Sequence, residues 1–276
     1  MWSSFALLLF TPVLYFPAVK TMSMILDAFK LDGNVAVVTG AARGLGQGYC
    51  LALAEAGADI VAVDVISVED TQRQVITLGR KCLAIQADLS DRSEGPRIIT
   101  EARKTFAHLD VLVNNAGIIR RGEFAKFSER DWDDVININL NGVFFLSQAF
   151  VRDLLDRGAS GKIINIASML SFQGGIRVPS YTASKSAIQG LTRLMANELA
   201  AKGINVNAIA PGYMATDATA QLRADSERNP AILARIPAGR WGTAEDLHGT
   251  VVFLASRASD YVNGWTIAVD GGWLAR

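Results

Sequence analysis

The chain has 276 residues, half of them hydrophobic, and its 27 basic residues balance 27 acidic ones. That length can bury a sizeable core without covalent staples, and a balanced charge with no basic stripe argues against nucleic acid or another polyanion as a partner. The two cysteines, Cys50 and Cys82, and the two histidines, His108 and His248, show no metal-ligand spacing and no triad arrangement, so neither a metal site nor Ser-His-Asp chemistry is expected.

Both cysteines fall in apolar patterns and read as core thiols of a reducing compartment, which makes the cytoplasm the expected location. The first 23 residues stand apart. Phe5 to Val19 is a strongly apolar run interrupted by Pro12 and Pro17. A membrane helix takes about 20 apolar residues and two prolines would break this one, so no membrane span is expected. No Lys or Arg precedes the run, which counts against an export signal. Residues 1–23 therefore read as an apolar leader or upstream extension outside a domain covering 24–276. An interacting tail and an export signal are the alternatives.

From Met24 onward, short β-branched runs alternate with helical patterns. The strand candidates are 35–39, 59–64, 83–86, 111–114, 162–166, 205–210 and 266–269. After the first of them, Leu45, Tyr49, Ala52 and Ala56 recur at the period of one helix face. Near-continuous apolar strands alternating with helices predict a parallel sheet covered on both faces. The expected class is α/β: a single doubly wound Rossmann-type domain with a seven-stranded parallel sheet and helices on both faces. The stretch from Gly212 to Gly242 holds Pro230 and Pro237, one short helical pattern and no strand. An excursion of that length in a compact chain reads as a lid or binding loop.

Directly after the first strand comes Thr39-Gly40-Ala41-Ala42-Arg43-Gly44-Leu45-Gly46, opening a helix. Glycines let backbone amides approach a pyrophosphate, and the helix N-terminus adds a favourable dipole. Asp64 ends the second strand, where a carboxylate can accept from an adenosine ribose and repel a 2′-phosphate. Arg43 pulls the other way. The carboxylate outweighs it, because a carboxylate close to a phosphate dianion costs more than the arginine returns, so NAD is the expected cofactor. Asp88-Leu89 and Asn114-Asn115-Ala116-Gly117 end the third and fourth strands, the edge at which open α/β sheets hold ligands.

Tyr181 and Lys185 stand four residues apart on one helix face, and Ser168 ends the fifth strand. Taken with the glycine loop, Asn114-Asn115-Ala116-Gly117, Asn139 and Pro211-Gly212, this set resembles the short-chain dehydrogenase/reductase family across Met24 to Arg276. The resemblance implies that Tyr181 is the acid/base, that Lys185 assists it and holds the nicotinamide ribose, and that Ser168 donates to the substrate oxygen. It implies that Asn139 binds a water leading from Lys185 to solvent. It also implies that Pro211, Gly212, Met214 and Thr216 close over the nicotinamide end. A phenol titrates near pH 10, so work near pH 7 requires roughly 4 kcal/mol of preference for the phenolate. Lys185 and the oxidised nicotinamide are the expected sources.

Within the family, the stretches 163–181 and 269–276 resemble enzymes acting on 2-dehydro-3-deoxy-D-gluconate in the breakdown of pectin-type uronates. Oxidation of gluconate at carbon 5, or the activity of another short-chain reductase, is the alternative, and a non-catalytic NAD-binding scaffold is the alternative from another class. Such a scaffold is expected to have lost Ser168, Tyr181 or Lys185, and all three are present. For the substrate carboxylate, Arg177 is the expected partner, since it lies between Ser168 and Tyr181 and a guanidinium can meet a carboxylate with two parallel bonds. Gln173 in the same loop is expected to read a hydroxyl, and Arg120 and Arg121 are the rival cations. The family resemblance implies a homodimer or homotetramer.

Overall fold

The central strands are largely apolar on both sides, because each is covered above and below, and Asn165 and Asn207 are buried polar exceptions. The computed structural model describes residues 24–276, and the leader assigned to residues 1–23 lies outside them. The strands are β1 Val35–Thr39, β2 Asp59–Asp64, β3 Cys82–Gln86, β4 Val111–Asn114, β5 Gly161–Ile166, β6 Ile204–Pro211 and β7 Thr266–Val269. They form one sheet in the order β3-β2-β1-β4-β5-β6-β7, parallel throughout. Four of the seven match the sequence expectation end to end; β3, β5 and β6 begin one residue earlier, and β6 runs on to Pro211.

The helices are α1 Gly44–Glu55, α2 Glu69–Thr77, α3 Glu94–Thr105, α4 Glu129–Ile136, α5 Val143–Asp156, α6 Pro179–Leu199, α7 Ala220–Ala224, α8 Arg228–Arg235 and α9 Glu245–Ala255. Alternate strand residues serve opposite faces, as the pleat requires. Ala36 and Val38 pack with Tyr49, Leu53, Val75 and Val251, from α1, α2 and α9. Val35 and Val37 pack on the other side with Ile98, Leu146, Phe150 and Leu199, from α3, α5 and α6. Cys50 and Cys82 are unpaired thiols in the first of these cores, and burial raises both.

The order reverses direction at β1. From there the chain steps outward through β2 to β3, and later returns to place β4 on the other side of β1. The loops after β1 and β4 therefore diverge and leave a crevice at the carboxyl edge of the sheet. The excursion after β6 differs from the sequence expectation by carrying two short helices, α7 and α8, where one was expected. They have a small core of their own, in which Ile232, Ile236 and Trp273 pack on Met169. Tyr213 meets both Trp241 and Trp273 edge-on. Arg276 donates to the last carbonyls of α8, those of Ala234 and Arg235, at 2.8 and 3.2 Å. The C-terminus thus ties down the excursion, and the excursion rests on the residue following Ser168.

Candidate active site

The loop after β1 is built for close backbone approach. Gly40 takes φ +66, and a Cβ there would stand 2.8 Å from Asn115 Nδ2; a Cβ at Gly46 would collide with the Gly40 carbonyl. Thr39 and Asn115 bind this loop to the one after β4. Asn115 Nδ2 donates to the carbonyls of Thr39 and Gly40, at 2.9 and 3.2 Å, while Thr39 Oγ1 accepts from the amides of Asn115 and Ala116 at 3.0 Å. The side chain of Arg43 caps none of the amides that open α1. First-turn amides have no acceptor inside their own helix, and Gly44, Leu45 and Gly46 line the crevice. A pyrophosphate fits that set of donors.

Asp64 has two roles. Its carboxylate accepts from the Ala42 amide at 3.0 Å and the Ile66 amide at 3.2 Å, so it holds the glycine loop as well as lining the crevice beside it. Arg43, exposed, pairs with Asp217 of the excursion at 3.3 Å.

The crevice encloses about 700 Å³. All the residues expected to hold the cofactor line it: Gly40, Arg43, Gly44, Leu45 and Gly46 from the first loop, Asp64, Asp88 and Leu89 from the next two strand ends, Asn115, Ala116 and Gly117 after β4, Tyr181 and Lys185 from α6, and Pro211, Gly212, Met214 and Thr216 after β6. Ser168 joins them. Val65 and Ile66, directly after Asp64, add an apolar wall, and Arg120 and Arg121 line the crevice too. The apolar pair was missed, although its position beside a strand-end acid is the signal that could have found it.

Three expected residues do not line the crevice. Asn139 lies wholly buried in a π-helical turn, 137–142, between α4 and α5; its amide holds Ile118 by accepting from the nitrogen at 2.8 Å and donating to the carbonyl at 2.9 Å, and it also donates to Ser184 Oγ at 3.3 Å. Gln173 Oε1 accepts from Arg235 at 3.4 Å. Arg177 is exposed with φ +62, and it is its carbonyl that meets the site's rim, accepting from the Gly122 amide at 3.0 Å. Its backbone is left-handed, and its main chain is committed to the loop after β4.

Ser168 Oγ accepts from the Leu170 amide at 3.2 Å, which leaves its proton for an oxygen in the crevice. Lys185 is 5% exposed; burial lowers its ammonium to about 8, and Nζ donates to the Ile166 carbonyl at 2.6 Å and lies 5.7 Å from the centre of the Tyr181 ring. Burial raises the Tyr181 phenol, against which the neighbouring Ser168 hydroxyl and the charge of Arg121 pull downward. The lowering expected for Tyr181 is therefore absent from the protein alone, because desolvation of a phenolate exceeds what two neighbours return. Among the described residues no cluster of three His, Cys, Asp or Glu could hold a metal, and no helix is long and apolar enough to cross a membrane.

Residues 34–227 match the short chain dehydrogenase family. The chain belongs to it. It is an oxidoreductase acting on CH–OH groups, with a nicotinamide dinucleotide as the hydride carrier. It is 62% identical to the 2-dehydro-3-deoxy-D-gluconate 5-dehydrogenase of Escherichia coli strain K12 over 92% of this chain and the whole of that one. A protein of Agrobacterium tumefaciens, solved with bound NADP, is 54% identical and superposes with a TM-score of 0.85, covering 91% of this chain and all of that one. The gluconate 5-dehydrogenase of Burkholderia cenocepacia J2315, solved with NADP and tartrate, is 39% identical with a TM-score of 0.87 over 92% of this chain and all of that one.

Proposed function

We propose that the protein oxidises the C5 hydroxyl of 2-dehydro-3-deoxy-D-gluconate to the 2,5-diketo acid, using NAD, in the breakdown of uronates. The observation that carries this reading is a cation beside the catalytic group: Arg121 lines the crevice close enough to act on Tyr181, and among the described residues it has no carboxylate partner. A sugar acid brings that carboxylate. Arg120, by contrast, is occupied by Asp131 and Asp134 of α4, both at 3.5 Å. The E. coli relative's activity supports the choice of acid. In oxidation the phenolate of Tyr181 takes the hydroxyl proton, Ser168 donates to the same oxygen, and Lys185 keeps the phenolate favoured. A nicotinamide held in the crevice would accept the hydride.

Gluconate oxidation at C5 is the second reading, favoured by the Burkholderia relative. A turnover assay with NAD and each acid separates them: NADH formed with 2-dehydro-3-deoxy-D-gluconate and little with gluconate supports the first, and the reverse overturns it. A reducing cytoplasm suits the two free thiols, and association of copies is supported by exposed Phe144, Leu194, Tyr261 and Trp265.

The preference for NAD rests on Asp64, while the NADP held by two relatives favours dual use. Asp64→Ala removes both loop bonds, a loss that falls on either cofactor alike. The ratio of kcat/KM for NAD to that for NADP isolates the charge. It should fall about tenfold or more, since each 1.4 kcal/mol of lost discrimination is a factor of ten. An unchanged ratio would show that Asp64 serves the loop alone.

A further inference from the structure

Ser171 has no part in the chemistry described so far, yet it touches two residues that do. It closes the short turn Met169–Ser171 that follows β5, directly after Ser168. Its Oγ donates to the main-chain carbonyl of Lys185, in the body of α6, at 2.6 Å, and accepts from the main-chain amide of Ser168 at 3.3 Å. One hydroxyl therefore links the backbone of the residue that polarises the substrate oxygen to the backbone of the residue that supports the acid/base. Ser186 Oγ adds a longer bond from α6 to the Leu170 carbonyl of the same turn, at 3.3 Å.

A helix carbonyl already accepts from the amide four residues on, so the Ser171 bond is not needed to hold α6 together. Its consequence is positional. Lys185 is held at both ends, its Nζ by the Ile166 carbonyl and its main chain by Ser171, and both anchors come from the end of β5 and the turn after it. Ser168 lies between those anchors. We propose that Ser171 is a positioning residue that fixes the separation between Ser168 on β5 and the Tyr181–Lys185 face of α6. Without the link the turn can slide along α6, and the Ser168 hydroxyl moves relative to the phenol. Misplacement by 1 Å costs about 10²-fold in rate.

A purely structural bond has a different signature from a positioning one. The groups facing the Tyr181 phenol are the Ser168 hydroxyl from β5, the Lys185 ammonium from its own helix and the Arg121 guanidinium from the loop after β4. Ser171 sets only the first two. Its loss should displace the Ser168 hydroxyl from the phenol, raise the phenol further, and move the alkaline rise of the oxidation rate to higher pH.

The test compares Ser171→Val with Ser171→Thr, two variants of nearly equal size that differ by the hydroxyl; Ser171 is only partly buried, so a methyl has room. Rates are read with whichever sugar acid the parent oxidises fastest, so that a wrong substrate assignment leaves the outcome intact. NADH affinity is read by fluorescence and stability by thermal melting. Ser171→Val should lower kcat about tenfold or more and shift the pH profile upward, with the NADH Kd within about twofold of the parent, and Ser171→Thr should restore both. A kcat for Ser171→Val within about twofold of the parent, or an unmoved pH profile with a lowered melting temperature, would overturn the assignment. Should Ser171→Val not fold, Ser171→Thr alone decides: a threonine variant that retains the parent's melting temperature but not its pH profile sinks the proposal.

Discussion

Tyr181→Phe should leave NADH binding intact and abolish turnover, with kcat falling by roughly 10²–10⁴-fold, the usual contribution of a positioned acid/base. The substitution removes one oxygen and keeps the ring over which the Lys185 ammonium sits. The sign of the pH dependence follows from the same oxygen. Oxidation requires the phenolate, so its rate rises with pH through the phenol's titration; reduction requires the phenol, so its rate falls over the same range. Because burial raises Tyr181 in the protein alone, the alkaline rise should move to lower pH in the ternary complex, where oxidised nicotinamide brings a positive charge. Residual kcat within tenfold of the parent, measured by stopped flow at saturating NAD, would remove Tyr181 from the role.

Arg121→Ala should raise the KM for the sugar acid about tenfold or more while the KM for NAD stays close to the parent's, from the loss of a charge-assisted pair of roughly 1.5–3 kcal/mol. The same substitution removes a cation that pulls the Tyr181 phenol downward, so the oxidation profile should also shift to higher pH. Arg177→Ala is the matched comparison. Its side chain is exposed and away from the crevice wall, and the bond it makes to Gly122 is through its main-chain carbonyl, which alanine keeps. Its acid KM should therefore stay within about threefold of the parent, the scale of a solvated surface charge. A large rise in Arg177→Ala with none in Arg121→Ala would return the carboxylate to the loop before α6.

Much of this molecule is written locally. Strands buried on both faces have to be apolar at nearly every position, so Val35–Thr39 and Val111–Asn114 are visible as runs with no partner in view. The turn after β1 needs glycine where backbone passes backbone, and Tyr181 and Lys185 share a helix face by spacing alone. The sheet, the glycine loop of the crevice and the placing of Tyr181 and Lys185 together on one helix face were thus legible from local patterns alone.

Tertiary structure decided the rest, because it depends on groups far apart in the chain. Arg177 lies between Ser168 and Tyr181 in sequence, but its backbone is left-handed and bonded to Gly122, 55 positions earlier, and it is Arg121 rather than Arg177 that lines the crevice. The excursion after β6 folds into two helices because Trp273 and Arg276, from the chain's end, complete its small core and cap α8. Tyr181 titrates upward because of the burial that the assembled domain imposes. Spacing reports what one element presents; which of several similar side chains enters a site is settled by where loops from different strands cross.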